Sequence, residues 1–140
     1  PDMSPGGVLT VFDNGNYRTV PPTPAPPTDQ WYSRAARFQI DPVAMTTTQI
    51  WDWQDTTPFF SGQFGDVDPL VLTGNQLVSD GAKPVTGQNK SYSRVVEVRQ
   101  AGPGQQIVFE VIVNDPSLPV TNPFNWNVYR AERYPRPYAF

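Results

Sequence analysis

The chain has no cysteine and no histidine. The first absence excludes disulfides and thiolate metal sites within it and leaves the redox compartment open. The second removes the commonest general base and the commonest metal ligand together. Lysine is scarce: only Lys83 and Lys90 occur in 140 residues, and the basic residues form no cluster. With a net charge of -3, the chain offers no basic stripe to neutralise a phosphate backbone, which argues against nucleic acid as a partner. No stretch approaches the roughly 18 apolar residues of a membrane-spanning helix. No signal peptide is visible. The start, Pro1-Asp2-Met3, lacks an initiating Met and reads as an interior position or a processed end.

What is present is proline, glycine and aromatic side chains: 17 Pro, 10 Gly, 8 Phe, 6 Tyr and 4 Trp. Rings that pack on pleated faces, in short runs punctuated by turn residues, indicate an all-β chain. The first clear strand is Val8 to Phe12, bounded by Gly6-Gly7 and by the turn Asp13-Asn14-Gly15; Pro1 to Pro5 is a loop or the end of an earlier strand. Pro21 to Thr28 cannot join a ladder and reads as an extended connection, with a P-x-x-P spacing that an SH3-type domain also accepts. Strands follow at Tyr32 to Ile40, Thr46 to Trp53 (with Trp51 and Trp53 on one face), near Gly65 to Leu70, and at Gln76 to Ser79, the last ending at Asp80-Gly81. Tyr92 to Arg99, a Gly102-Pro103-Gly104 turn, Gln106 to Val113 and a last strand over 125–134 complete the chain. Gln106 to Val113 carries the strongest alternation, with Ile107, Phe109, Val111 and Val113 on one face.

The pattern occurs twice. Tyr32-Ser33-Arg34 and Tyr92-Ser93-Arg94 stand 60 residues apart, Trp51-Asp52-Trp53 and Phe109-Glu110-Val111 stand 58 apart, and Gly15 and Gly81 stand 66 apart. The expected units are residues 7–58 and 59–113, with 125–134 as a closing strand. A repeat of three or four short antiparallel strands without helices suggests propeller blades. Two blades cannot close a propeller, so further blades on the same or another chain are expected partners. A single β-sandwich of about eight strands is the alternative.

The run Leu9-Thr10-Val11-Phe12-Asp13-Asn14-Gly15, then Arg18, Tyr32-Ser33-Arg34 and Ile50-Trp51-Asp52-Trp53, resembles the C-terminal part of the PAPS-independent arylsulfotransferases. Gly74-Asn75-Gln76-Leu77 and Tyr129-Arg130-Ala131 resemble later segments of that family, so the likeness runs over nearly all of the chain. The resemblance implies a six-bladed propeller with its active site in the central channel, and ping-pong transfer of a sulfuryl group from an aryl sulfate to a phenol through a sulfohistidine. It implies no metal or nucleotide cofactor, and a periplasmic or extracellular location. The family's nucleophilic histidine lies just upstream of the strand that leads into Phe12-Asp13-Asn14-Gly15. This chain contains none, so no catalytic residue is expected within it, and the non-enzymatic alternative is a propeller or sandwich module for binding or extracellular structure.

The candidate substrate-binding residues are Asn14, Arg18, Phe64 and Asp66, and each has a plainer reading. In an antiparallel meander the end of the second strand lies beside the start of the first, which places Asp13 and Asn14 at the entry to the innermost strand; the same residues are also an ordinary turn. Arg18 suits a sulfate or a solvated loop. Phe64 suits an aryl ring or the core. Asp66 and Asp68, at i and i+2, share a strand face, as a general base, a calcium corner or turn-flanking acids. Arg34 and Arg94 recur in both units and are expected to be structural, each pairing with the Asp of a neighbouring turn. Asn89-Lys90-Ser91 is a glycosylation sequon.

Overall fold

A computed structural model describes residues 1–16, 32–56, 59–84, 91–100, 105–114 and 126–134. They form eight strands: β1 (Asp2–Ser4), β2 (Val8–Asp13), β3 (Arg34–Asp41), β4 (Thr46–Trp53), β5 (Asp66–Pro69), β6 (Gln76–Pro84), β7 (Ser91–Val98) and β8 (Ile107–Val113). Sheet order is β1-β2-β3-β4 and β5-β6-β7-β8, every neighbouring pair antiparallel. The described residues contain no helix. Two four-stranded meanders packed on one another occur both in sandwiches and as neighbouring propeller blades.

The turns follow from local chemistry. Gly15 stands at φ 83°, and its N–H is taken by Asp13 Oδ1 at 2.9 Å, a side-chain-stabilised turn that ends β2. Asp41 Oδ1 accepts the N–H groups of Val43 and Ala44, both at 2.9 Å, and so closes the β3–β4 turn.

The core lies between the sheets. Ala35 and Trp53, register partners on β3 and β4, bury against Val67, Val78, Val96 and Val98 of the second sheet, with Phe59 from the connection between them. Phe12 and Trp51 pack at its margin. Val67, Val78 and Val96 form one cross-strand row, so a single face of three strands is sealed together. Each such side chain contributes roughly 1.5–3 kcal/mol by leaving water. A polar contact crosses the same seam: Arg37 Nη1 of β3 donates to Gln100 Oε1 at 2.7 Å, and Gln76 Nε2 of the second sheet donates to that oxygen at 3.1 Å.

Two expectations are corrected. β6 does not stop at Asp80-Gly81 but runs on to Pro84, with a bulge between Asp80 and Lys83. Asp80 there is a buried ion-pair partner, and Gly81 is small because a Cβ would collide with Phe64 and the Val128 carbonyl. The segment expected as a closing strand over 125–134 has no strand among its described residues, 126–134. It is held by single backbone bonds (Trp126 N–H to Ser91 O, Val128 N–H to Gly81 O) and by side chains instead of a ladder. β8, the strand with the strongest alternation, is exposed on both faces, with Phe109 50% accessible, because it is the outer edge of its sheet. The proline-rich connection, the Gly102-Pro103-Gly104 turn, Arg18 and Asn89 lie outside the described residues.

Candidate functional site

The two edge strands β1 and β5 begin near one another, and three segments meet there: the exit of β2, the entry to β5, and residues 126–130. The joint is built from repeated serines. Ser33, fully buried, donates its hydroxyl to Asn14 O at 2.9 Å and accepts the Ser61 N–H at 2.8 Å. Ser93, also fully buried, donates to Gly81 O at 2.7 Å and accepts the Val128 N–H at 2.8 Å. One hydroxyl thus ties a carbonyl (just past β2 in one unit, within β6 in the other) to an incoming segment in each unit, which explains why Tyr-Ser-Arg recurs.

The arginines of those tripeptides are structural, as their repetition predicts. Arg34 Nε meets Asp13 Oδ2 at 3.0 Å and Arg34 Nη1 meets Asp52 at 3.5 Å. In the second sheet Arg94 meets Asp80 at 2.8 Å, Glu110 at 3.2 Å and Asp55 at 2.6 Å. Asp55 follows β4 of the first sheet, so this cluster bolts the two sheets together, and Lys83 joins it 3.4 Å from Asp55 and 4.6 Å from the Phe59 ring centroid. Burial works against charge on Asp55, yet Arg94 and Lys83 hold its carboxyl below the usual range. Asp80, at the dry centre, is pushed up to about 6 by burial, against the pull of Arg94.

Above the serine joint lies a cleft of about 280 Å³ lined by Pro1, Val11, Phe12, Asn14, Gln63, Gly65, Asp66 and Tyr129. Of the four sequence candidates, Asn14 and Asp66 meet here, and Phe64 stands behind the wall. Asn14 Nδ2 donates to Ser61 O at 2.6 Å and to Phe64 O at 3.3 Å, so its amide fixes the loop that leads into β5. Gly65 (φ 145°) passes so close to Phe12 that any Cβ would enter the ring. Phe64 meets Tyr129 edge-on, with centroids 6.4 Å apart and planes at 83°. Tyr129, and Arg130 beside it, were not among the sequence candidates; the only signal was their place in a segment resembling the family's close.

Asp66 and Asp68 share one face of β5 and both pair with Arg130, at 3.1 and 3.3 Å. Asp68 is raised to about 6, chiefly by burial and then by Asp66, with Arg130 opposing and Asp2 of β1 adding to the rise. Among the described residues no group of three or more His, Cys, Asp or Glu is arranged to hold a metal ion, and no helix is long and apolar enough to cross a membrane. Larger hollows lie elsewhere. One of about 400 Å³ is formed by the β5–β6 turn with Arg133 and Tyr134. Another, about 720 Å³, runs beside Trp53, Asp55 and Gln105. Neither gathers the entries of the edge strands.

The family model described as Arylsulfotransferase (ASST) matches residues 2–123, most of the chain and all eight strands. No curated protein and no solved structure matches the chain significantly.

Proposed function

Because the chain belongs to the arylsulfotransferase family, we propose that it forms two neighbouring blades of a six-bladed propeller that moves a sulfuryl group from an aryl sulfate to a phenol. The single observation that carries this reading is the cleft at the paired entries of β1 and β5, where Asn14, Gln63, Asp66 and Tyr129 converge. In a propeller these edge strands are the innermost ones, and their entries open on the central channel. The serine joint supports blades over a sandwich. A sandwich closes on one shared core, whereas here the Ser33–Ser61 bond between the sheets recurs as Ser93–Val128 on the next segment outward.

The chemistry divides between this chain and what completes it. The chain has no histidine, so the nucleophile comes from outside it. That group displaces the phenol from sulfur and then yields the sulfuryl group to a second phenol, which splits one hard transfer into two. The cleft supplies an aromatic wall and hydrogen-bonding groups that orient the ring. The setting proposed is periplasmic or extracellular. The lack of histidine also favours a second reading, a non-catalytic blade pair for binding or extracellular structure.

The test is acceptor-dependent release of 4-nitrophenol from 4-nitrophenyl sulfate by the intact gene product. Transfer through a sulfo-histidine, with this 140-residue chain inactive alone, is the expected result. An intact protein without a histidine at the channel and without release overturns the enzymatic reading.

A further inference from the structure

The electrostatics of the cleft are unusual for a site that meets sulfate esters. Among the described side chains the guanidinium beside the cleft is that of Arg130, and it is already engaged: Nε by Asp66 and Glu132, both at 3.1 Å, and Nη2 by Asp68 at 3.3 Å. Asp2 stands close enough to Asp68 to raise it further. Among the described side chains, four carboxylates thus gather around one guanidinium, and an incoming sulfate meets a surplus of like charge. The remaining lining suits an aromatic ring. Val11 and Phe12 are apolar, and Tyr129, 71% exposed, presents a ring steadied edge-on by Phe64. At one end Asp66, whose Oδ2 is buried against Arg130, leaves Oδ1 to meet a donor, with the side chain 18% exposed.

We propose that this cleft is a subsite for the neutral phenol, not for the aryl sulfate, with the ring against Tyr129 and the phenolic O–H donating to Asp66. The proposal rests on the sulfuryl-transfer reading for its biological sense and deepens it by separating acceptor from donor. Tyr129 supplies the ring contact, which phenol and its sulfate ester share. Asp66 supplies discrimination: it accepts a hydrogen bond from a phenol and repels the sulfate ester, which has no proton there to donate. A volume of about 280 Å³ admits a single ring.

The experiment is equilibrium titration of the full chain with phenol and with phenyl sulfate, which differ only in the sulfuryl group, followed by NMR shifts of the Gln63, Gly65 and Asp66 amides. Saturable phenol binding at least tenfold tighter than phenyl sulfate is expected. Tyr129→Ala, an exposed position where folding is not at stake, weakens phenol about tenfold, and Tyr129→Phe retains it. Asp66→Asn narrows the phenol-to-phenyl-sulfate ratio. Equal affinity for the two ligands, or phenol binding unchanged in Tyr129→Ala, overturns the proposal. Because no turnover is read, a protein that never transfers a sulfuryl group still passes or fails this test on its own terms.

Discussion

The repeat provides an internal control on the worth of a buried ion pair. Arg34 and Arg94 hold equivalent register positions, opposite Asp13 and Asp80. Their settings differ: the side chains of Arg94, Asp80 and Asp55 are 10%, 0% and 11% exposed, against 22%, 34% and 46% for Arg34, Asp13 and Asp52. Arg94→Met leaves Asp80 buried with only Lys83, 3.8 Å away, and breaking a buried pair costs about 3–5 kcal/mol. Arg34→Met removes a half-solvated pair worth about 0.2–1 kcal/mol. Urea unfolding followed by tryptophan fluorescence, with Trp53 only 3% exposed, reads both. At a slope of about 2 kcal/mol/M the Arg94 midpoint falls by roughly 2 M and the Arg34 midpoint by under about 0.5 M. The Arg94 deficit also narrows with acid. The folded Asp80 carboxyl, at about 6 against 3.8 unfolded, binds its proton more tightly in the folded state. Its contribution to stability therefore grows as pH falls from about 6 toward 3.8, and a protonated Asp80 needs no cation. Equal shifts in the two variants, or an Arg94 deficit that widens between pH 7.5 and 5, would refute the reasoning.

Gly65→Ala is expected to lower the melting temperature by on the order of 5–10 °C in calorimetry, since the new Cβ meets the Phe12 ring at φ 145°. Ser93→Ala takes the hydroxyl donor from the Trp126 carbonyl and leaves the Val128 N–H and the Gly81 carbonyl holding only each other, at about 0.5–1.5 kcal/mol per lost bond; trypsin then cuts after Arg130 and Arg133 faster than in the wild type. Asp68→Asn flattens part of the stability profile. The raised Asp68 carboxyl, at about 6, stabilises the fold below 3.8 and loses that contribution as pH rises through 6, so the gap between unfolding free energies at pH 4.5 and 7.5 shrinks in the variant.

Most of the sheet structure was legible because it is written in local chemistry. β-Branched and aromatic runs mark β2, β4 and β7, and Asp13-Asn14-Gly15 forms the turn its residues demand. The pairing of Arg34 and Arg94 with nearby aspartates was legible from repetition alone. The errors arose where tertiary contacts overrule local signals. Asp80-Gly81 looks like a turn, yet Arg94 claims the aspartate and the packed Phe64 claims the glycine, so the strand runs through. Residues 126–134 alternate like a strand, but the Ser93 hydroxyl and the ion pairs of Arg130 and Arg133 hold them instead. β8 alternates strongly yet is exposed, because periodicity reports which side chains share a face, not whether anything covers it.

The cleft was hardest to read because its residues are those that break the repeat. Ser33 and Ser93, Asp13 and Asp80, and Arg34 and Arg94 do the same task in both units, and all of them hold the fold. The carbonyls of Asn14 and Gly81 are equivalent acceptors of those serines, yet only Asn14 has a side chain, and it fixes the loop into β5. Ser61 and Val128 are equivalent donors, so Tyr129 stands where the first unit has Gly62. A ring and an amide thus appear at positions whose counterparts are glycines, and both line one cleft with Asp66. The first unit builds its joint with Gly62 where Tyr129 stands, so the Tyr129 ring is not required by the architecture, whereas the Asn14 amide also fixes the loop into β5. That asymmetry, more than any single motif, makes Tyr129 the position where substitution should alter binding while the sheets stay intact.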